Sequence, residues 1–162
     1  ARLLLKARPL ADPAIRDRYA AIATEAGLPA NRLELVGHVK DLAAHLALYA
    51  EIDVALDPFP YAGTTTTCEA LWMGCPVVTL RGSTHAGRVG ASLLTHAGLE
   101  ELVTEDRGEI ERLARELIGD DARLDGYRAG LRGKLAGCPL CDAAGFARKF
   151  ERAFWGMRGS YT

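Results

Sequence analysis

Short β-rich runs that are apolar at nearly every position recur along this chain, and a helix-spaced segment separates each from the next. The runs are Leu3-Leu4-Leu5, then Leu33 with Leu35 and Val36, then Asp53-Val54-Ala55-Leu56, then Val77-Val78-Thr79-Leu80. A strand that does not alternate between apolar and polar is covered on both faces, and helices between successive strands make the sheet parallel. The expected class is therefore α/β with a parallel sheet.

The punctuation between the runs agrees. Asp12 and Pro13 are an N-cap followed by proline at the first helical position, with Ile15, Tyr19, Ile22 and Ala26 behind them at helical spacing. Gly27 and Pro29 stop that helix, and Gly74 and Pro76 close a later one that runs through Ala70, Leu71 and Met73. Leu42, His45, Leu46 and Tyr49 predict a short helix. Beyond Leu80 the chain changes character. Ile110, Leu113 and Leu117 predict one helix, and Leu124, Tyr127, Leu131 and Leu135 a second. Phe146, Phe150 and Phe154 predict a third, entered from Asp142 and read as a packed core stripe. Residues Gly156 to Thr162 are expected to fray.

Composition excludes several classes. The chain has 162 residues, 49% of them hydrophobic and 25% charged, which suits an ordinary domain or a large piece of a two-domain protein. The 20 basic and 21 acidic residues leave a formal charge of −1. That balance argues against a nucleic-acid surface but leaves room for a local anion site. Arg128, Arg132 and Lys134 flank Leu131 and Leu135 and are expected to solvate an amphipathic helix. No apolar run is long enough to span a membrane, and no signal peptide is visible. Four cysteines do not make a disulfide framework. They are read as inert thiols in a reducing compartment, since zinc would need Cys68 and Cys75 to meet Cys138 and Cys141 in space.

The chemistry concentrates between Asp57 and Gly74, where a strand hands over to a helix. In a parallel sheet that crevice is the usual ligand site. Gly63 permits a tight turn, and Thr64 to Thr67 place hydroxyls beside the free N–H groups of the helix start, a setting suited to phosphate. Glu69, about a turn further in, is suited to sugar hydroxyls. The same residues also fit a capping box between Thr66 and Glu69, which would tie off the helix with no ligand at all. Pattern alone leaves both readings open. Neither a Walker sequence nor a dinucleotide fingerprint is present. Arg88 is either a helix-surface charge or an anion partner. Asp53 and Asp57 could imitate a metal site, but two carboxylates at a strand end are weak grounds for one. His38 and His85 have no ligand geometry in sequence, and His96 reads as a surface residue.

Gly63 through Pro76, followed by Val77-Val78-Thr79, closely resembles the nucleotide-sugar segment of the protein O-linked N-acetylglucosamine transferases, nearest to the bacterial tetratricopeptide-containing and SPINDLY-like branches. Arg88-Val89-Gly90-Ala91-Ser92-Leu93-Leu94, Gly98-Leu99 and Cys138-Pro139-Leu140-Cys141-Asp142 extend the resemblance over most of the chain. It implies a Rossmann-like sheet in the C-terminal half of a two-lobed GT-B glycosyltransferase, with extra C-terminal helices. Residues 1–137 would be the nucleotide-sugar-binding domain, with its first strand upstream of Leu3. Residues 138–162 would be the C-terminal helix and tail.

By the same resemblance Thr65 and Thr66 hold the donor diphosphate and Glu69 meets the ribose hydroxyls. His45 contacts the diphosphate-sugar region, and the backbone at Val39 and Lys40 walls the uracil. His45 also sits between Leu42 and Tyr49 on an apolar face, where a satisfied core histidine would stand. Leu42 and Leu48 replace basic residues of animal members, so the base and phosphate contacts need not be identical. The implied reaction moves N-acetylglucosamine from UDP-GlcNAc, with UDP as product, to a protein serine or threonine in the cytoplasm, with no metal or further cofactor. The acceptor would bind through an N-terminal half and repeats upstream, leaving this fragment inactive alone and prone to self-association. Alternatives are a transferase using UDP-glucose or GDP-fucose, or a noncatalytic nucleotide-sugar-binding scaffold.

Overall fold

A computed structural model of the chain describes residues 1–159. They fall into two compact units, residues 1–48 and the described residues from 49 onward.

In the first unit β1 (Leu3–Lys6) pairs in parallel with β2 (Leu33–Val36), Leu3 opposite Leu33 and Lys6 opposite Val36. The crossover between them is α1 (Pro13–Glu25), whose start follows the expected chemistry: Asp12 Oδ1 accepts from the Ala14 N–H at 2.8 Å and Pro13 takes the first helical position. The apolar spacing of α1 is only partly used, because Ala23 is buried while Tyr19 and Ile22 are exposed. Gly27 ends the helix at φ +82°. A short α2 (Leu42–Ala47) follows, capped by Asp41 Oδ2 on the Ala44 N–H at 2.6 Å. It passes into a 3-10 turn at Leu48–Glu51.

The second unit carries a parallel sheet in the order β3 (Ala55–Leu56), β4 (Val77–Leu80), β5 (Val103–Thr104). Helix α3 (Thr65–Trp72) connects β3 to β4, and α4 (His85–His96) connects β4 to β5. The central β4 is buried at all four positions, as its continuous apolar run requires. Val78 within it, and Leu71, Leu94, Leu102 and Leu117 packed around it, have essentially no exposure. Each such side chain contributes about 1.5–3 kcal/mol of burial. Helices α5 (Arg107–Ile118) and α6 (Asp121–Ala136) complete this core through Leu113, Leu117, Leu124, Leu131 and Leu135. Gly74, just past α3, sits at φ +83°, and a Cβ there would lie 2.8 Å from the Arg128 carbonyl oxygen. The stop is therefore conformational and steric at once.

Three expectations are corrected. The aromatic stripe of α7 (Ala143–Gly159) does not pack into the core: Phe146, Phe150 and Phe154 are exposed, the first two stacked at 5.8 Å and the last two edge to face at 5.0 Å between ring centroids. Helical spacing reports one face and not what covers it. Helix α7 also continues past Gly156 to Gly159; the rest of the expected fraying lies outside the described residues. The basic residues of α6 are not merely solvated. Arg128 pairs with Asp53 at 2.5 Å, Arg132 lies over the Trp72 ring at 4.8 Å, and Lys134 donates to the Gly98 carbonyl at 2.5 Å.

Candidate functional site

The strand-to-helix crevice after β3 is built around Asp57. Its Oδ1 accepts from the Gly63 N–H at 2.6 Å, and its Oδ2 accepts from the Thr79 hydroxyl at 2.7 Å. Burial pushes the Asp57 carboxyl above its ordinary value, partly offset by those two hydrogen bonds. The loop is closed from the other side by Thr67, whose hydroxyl donates to the Gly63 carbonyl at 3.1 Å. Thr67 is buried, whereas Thr64, Thr65 and Thr66 are exposed. The start of α4 also meets this loop, with the Ala62 N–H donating to the Ala86 carbonyl at 3.2 Å.

The capping box does not form. Helix α3 begins at Thr65, so Thr64 is the N-cap, and among the described residues it makes no side-chain capping hydrogen bond. The first helical bond runs from the Cys68 N–H to the Thr64 carbonyl at 3.1 Å. The N–H groups before it belong to Thr65, Thr66 and Thr67, the donors that a helix leaves unmatched. Such donors, with the positive end of the helix dipole, suit an anion. Glu69 lies too far along α3 to cap it. Its Oε2 accepts from the Tyr49 hydroxyl at 3.3 Å, and that hydroxyl also reaches the Thr66 carbonyl at 3.3 Å. Burial, then the Glu69 charge, raise the Tyr49 pKa, so the phenol stays protonated and donates.

A cleft of about 90 Å³ opens here, lined by Tyr49, Leu56, Asp57, Pro58, Thr66 and Thr67 among others. It suits a phosphate-sized group and is well below the ~300 Å³ of a typical small-molecule pocket. A larger hollow of about 360 Å³ runs along α6 past Arg123, Gly126, Tyr127 and Lys134. Its polar groups are already engaged: Arg123 donates to the Tyr127 hydroxyl, Tyr127 to Glu101, and Lys134 to Gly98.

Thr65, Thr66 and Glu69 are thus gathered on one helix start. Arg88 is exposed on α4, and its guanidinium donates to the Ser83 carbonyl at 2.5 Å, just ahead of that helix. Val39 and Lys40 lie in the loop before α2, in the first unit, with Val39 half-buried and Lys40 exposed. His45 is half-buried on α2, and its Nδ1 is hydrogen-bonded to the Lys6 ammonium at the end of β1. The sequence did not show that Lys6 reaches His45, that Tyr49 reaches Glu69, or that Asp57 ties Gly63 to Thr79, because each partner is distant along the chain or hidden in a loop.

The four cysteines are free. Burial pushes the Cys75 thiol up to about 12 and raises Cys68 as well, with Cys141 and Cys138 adding to the latter. Raised thiols are poor nucleophiles. Among the described residues no group of three or more His, Cys, Asp or Glu side chains is placed to hold a metal ion. No described helix is long and apolar enough to cross a membrane.

A parallel α/β fold whose helix-start donors stand at the carboxyl end of a strand is an arrangement suited to an anionic ligand, and comparison with known proteins specifies the class. The glycosyl transferase family 41 model matches residues 10–150, and the chain belongs to that family. It is 42% identical over 160 residues to a rice protein (Oryza sativa subsp. japonica) named as a probable UDP-N-acetylglucosamine–peptide N-acetylglucosaminyltransferase SPINDLY. That alignment covers 99% of this chain and 17% of the rice protein. The Arabidopsis thaliana SPINDLY protein is 41% identical over 99% of this chain and 18% of its own length. A mutant of the Thermobaculum terrenum O-GlcNAc transferase superposes with a TM-score of 0.87 at 42% identity, over 95% of this chain and 29% of that one. The fold is accordingly that of a GT-B catalytic-domain fragment. The chain spans under a fifth of the length of these plant relatives.

Proposed function

We propose that this chain is the donor-binding part of a glycosyltransferase that moves N-acetylglucosamine from UDP-GlcNAc to serine or threonine hydroxyls of proteins. The observation that carries the reading is the start of α3, which its own side chains leave uncapped. Thr65 and Thr66 hold the diphosphate there through their exposed hydroxyls as well as their N–H groups, and Glu69, braced by Tyr49, accepts from the ribose hydroxyls. His45, Val39, Lys40 and Arg88 are proposed as further donor contacts. The names of the SPINDLY relatives support the donor and the peptide acceptor.

In the transfer, the bond from the sugar C1 to the diphosphate oxygen breaks and its electron pair stays with UDP. The acceptor oxygen bonds to C1 and gives up its proton. The α3 turn acts on the leaving group: N–H donors and the helix dipole stabilise charge growing on the diphosphate. The base that takes the acceptor proton is assigned to the rest of the protein, together with the acceptor groove. A cytoplasmic location belongs to the same reading.

Calorimetric titration of the full-length protein with UDP and UDP-GlcNAc tests this, beside GDP and GDP-fucose. Thr66→Ala and Glu69→Ala are expected to weaken UDP binding by about tenfold each with helical content unchanged. Unchanged affinity in both variants, or a preference for GDP over UDP, would overturn the assignment.

A further inference from the structure

Resting on the diphosphate reading of α3, we propose that Asp57 is the positioning residue of the phosphate turn, holding Gly63 and through it the start of α3 in the geometry that meets the donor. An ionised carboxylate has no hydrogen to donate and repels phosphate, so its place beside an anion turn calls for another role. Its two oxygens bind different elements. One takes the Gly63 N–H at 2.6 Å; the other takes the hydroxyl of Thr79, a wholly buried residue of β4, at 2.7 Å. The loop that launches α3 is thereby tied to the rigid centre of the sheet.

Gly63 is held on both sides. Asp57 takes its N–H, and Thr67, inside the first turn of α3, donates to its carbonyl. Two neighbouring glycines leave the room this requires. A Cβ on Gly63 would stand 2.6 Å from Thr66 Oγ1 and 3.2 Å from Asp57 Oδ1. A Cβ on Gly90 would overlap Asp57 Oδ2 and stand 2.5 Å from Thr79 Oγ1. An aspartate that only ended a strand would need neither clearance. Because Asp57 consumes the Gly63 N–H, the donors left for an anion are those further along, at Thr65 to Thr67.

The test compares a nucleoside diphosphate with its nucleoside, using UDP and uridine on the full-length protein by calorimetry and ligand-observed NMR. Asp57→Ala is expected to weaken UDP at least tenfold and leave uridine unchanged. Asp57→Asn keeps a carbonyl for Gly63 and is expected to restore UDP binding to within about threefold. Thr79→Val keeps the Gly63 bond, frees the other oxygen, and should fall between them. UDP binding by Asp57→Ala equal to the unsubstituted protein would overturn the proposal. Equal loss of UDP and uridine, the mark of a general structural role, would also overturn it. Failure of the unsubstituted protein to bind UDP would instead remove the donor reading, and this proposal with it.

Discussion

The Tyr49 hydroxyl stands 3.3 Å from Glu69 Oε2 and 3.3 Å from the Thr66 carbonyl oxygen. One phenol therefore links the backbone of the phosphate turn to the carboxylate assigned to the ribose. Tyr49→Phe removes this link and leaves the ring in place. It is expected to weaken UDP by about 1 kcal/mol, roughly fivefold, and 2′-deoxy-UDP, which offers Glu69 one hydroxyl fewer, by less. Calorimetry with the two nucleotides checks this, and equal weakening of both would contradict it.

Asp57 gives a pH dependence of defined sign. Burial raises its folded pKa above the ordinary 3.8. The folded chain then holds that proton more tightly than the unfolded chain does. The stabilisation is full below 3.8 and is lost as pH rises through the raised value. Denaturation of the unsubstituted chain and of Asp57→Asn across this window should show the former losing stability relative to the latter as pH rises. A relative gain would contradict the assignment.

Gly74 and Gly27 share a positive φ, of +83° and +82°, but not their surroundings. A Cβ on Gly27 meets nothing within 4 Å, whereas one on Gly74 lies 2.8 Å from the Arg128 carbonyl oxygen. Gly27→Ala should cost about 1 kcal/mol, the left-handed penalty alone. Gly74→Ala should cost more than about 2 kcal/mol. Thermal denaturation of the pair reads the difference.

Leu94 and Phe150 separate core from surface. Leu94 is fully buried while Phe150 is 53% exposed. Leu94→Ala should cost about 2–5 kcal/mol. Phe150→Ser should change stability by less than about 0.5 kcal/mol and reduce self-association in sedimentation. A large destabilisation from Phe150→Ser would place the α7 stripe in a core after all.

Much of the fold was legible because its signals are local. The Asp12-Pro13 start, the Gly74 stop and the four-residue run of β4 each depend on neighbours within a turn or a strand. The site was legible only in outline. Thr66 and Glu69 have the spacing of a capping box, but the helix starts at Thr65 and Glu69 turns to Tyr49, a partner 20 residues back. Asp57 read as a strand terminator because its second bond reaches Thr79, 22 residues on. Strand β5 has two residues, too few for a pattern. Phe146, Phe150 and Phe154 keep helical spacing yet stay exposed among the described residues, which periodicity cannot register.

The most direct measurement is a crystal structure of the full-length protein with UDP-GlcNAc. The account predicts diphosphate oxygens within hydrogen-bond distance of the Thr65 and Thr66 N–H groups and the ribose hydroxyls on Glu69. A nucleotide bound elsewhere, with the α3 turn empty, would contradict it.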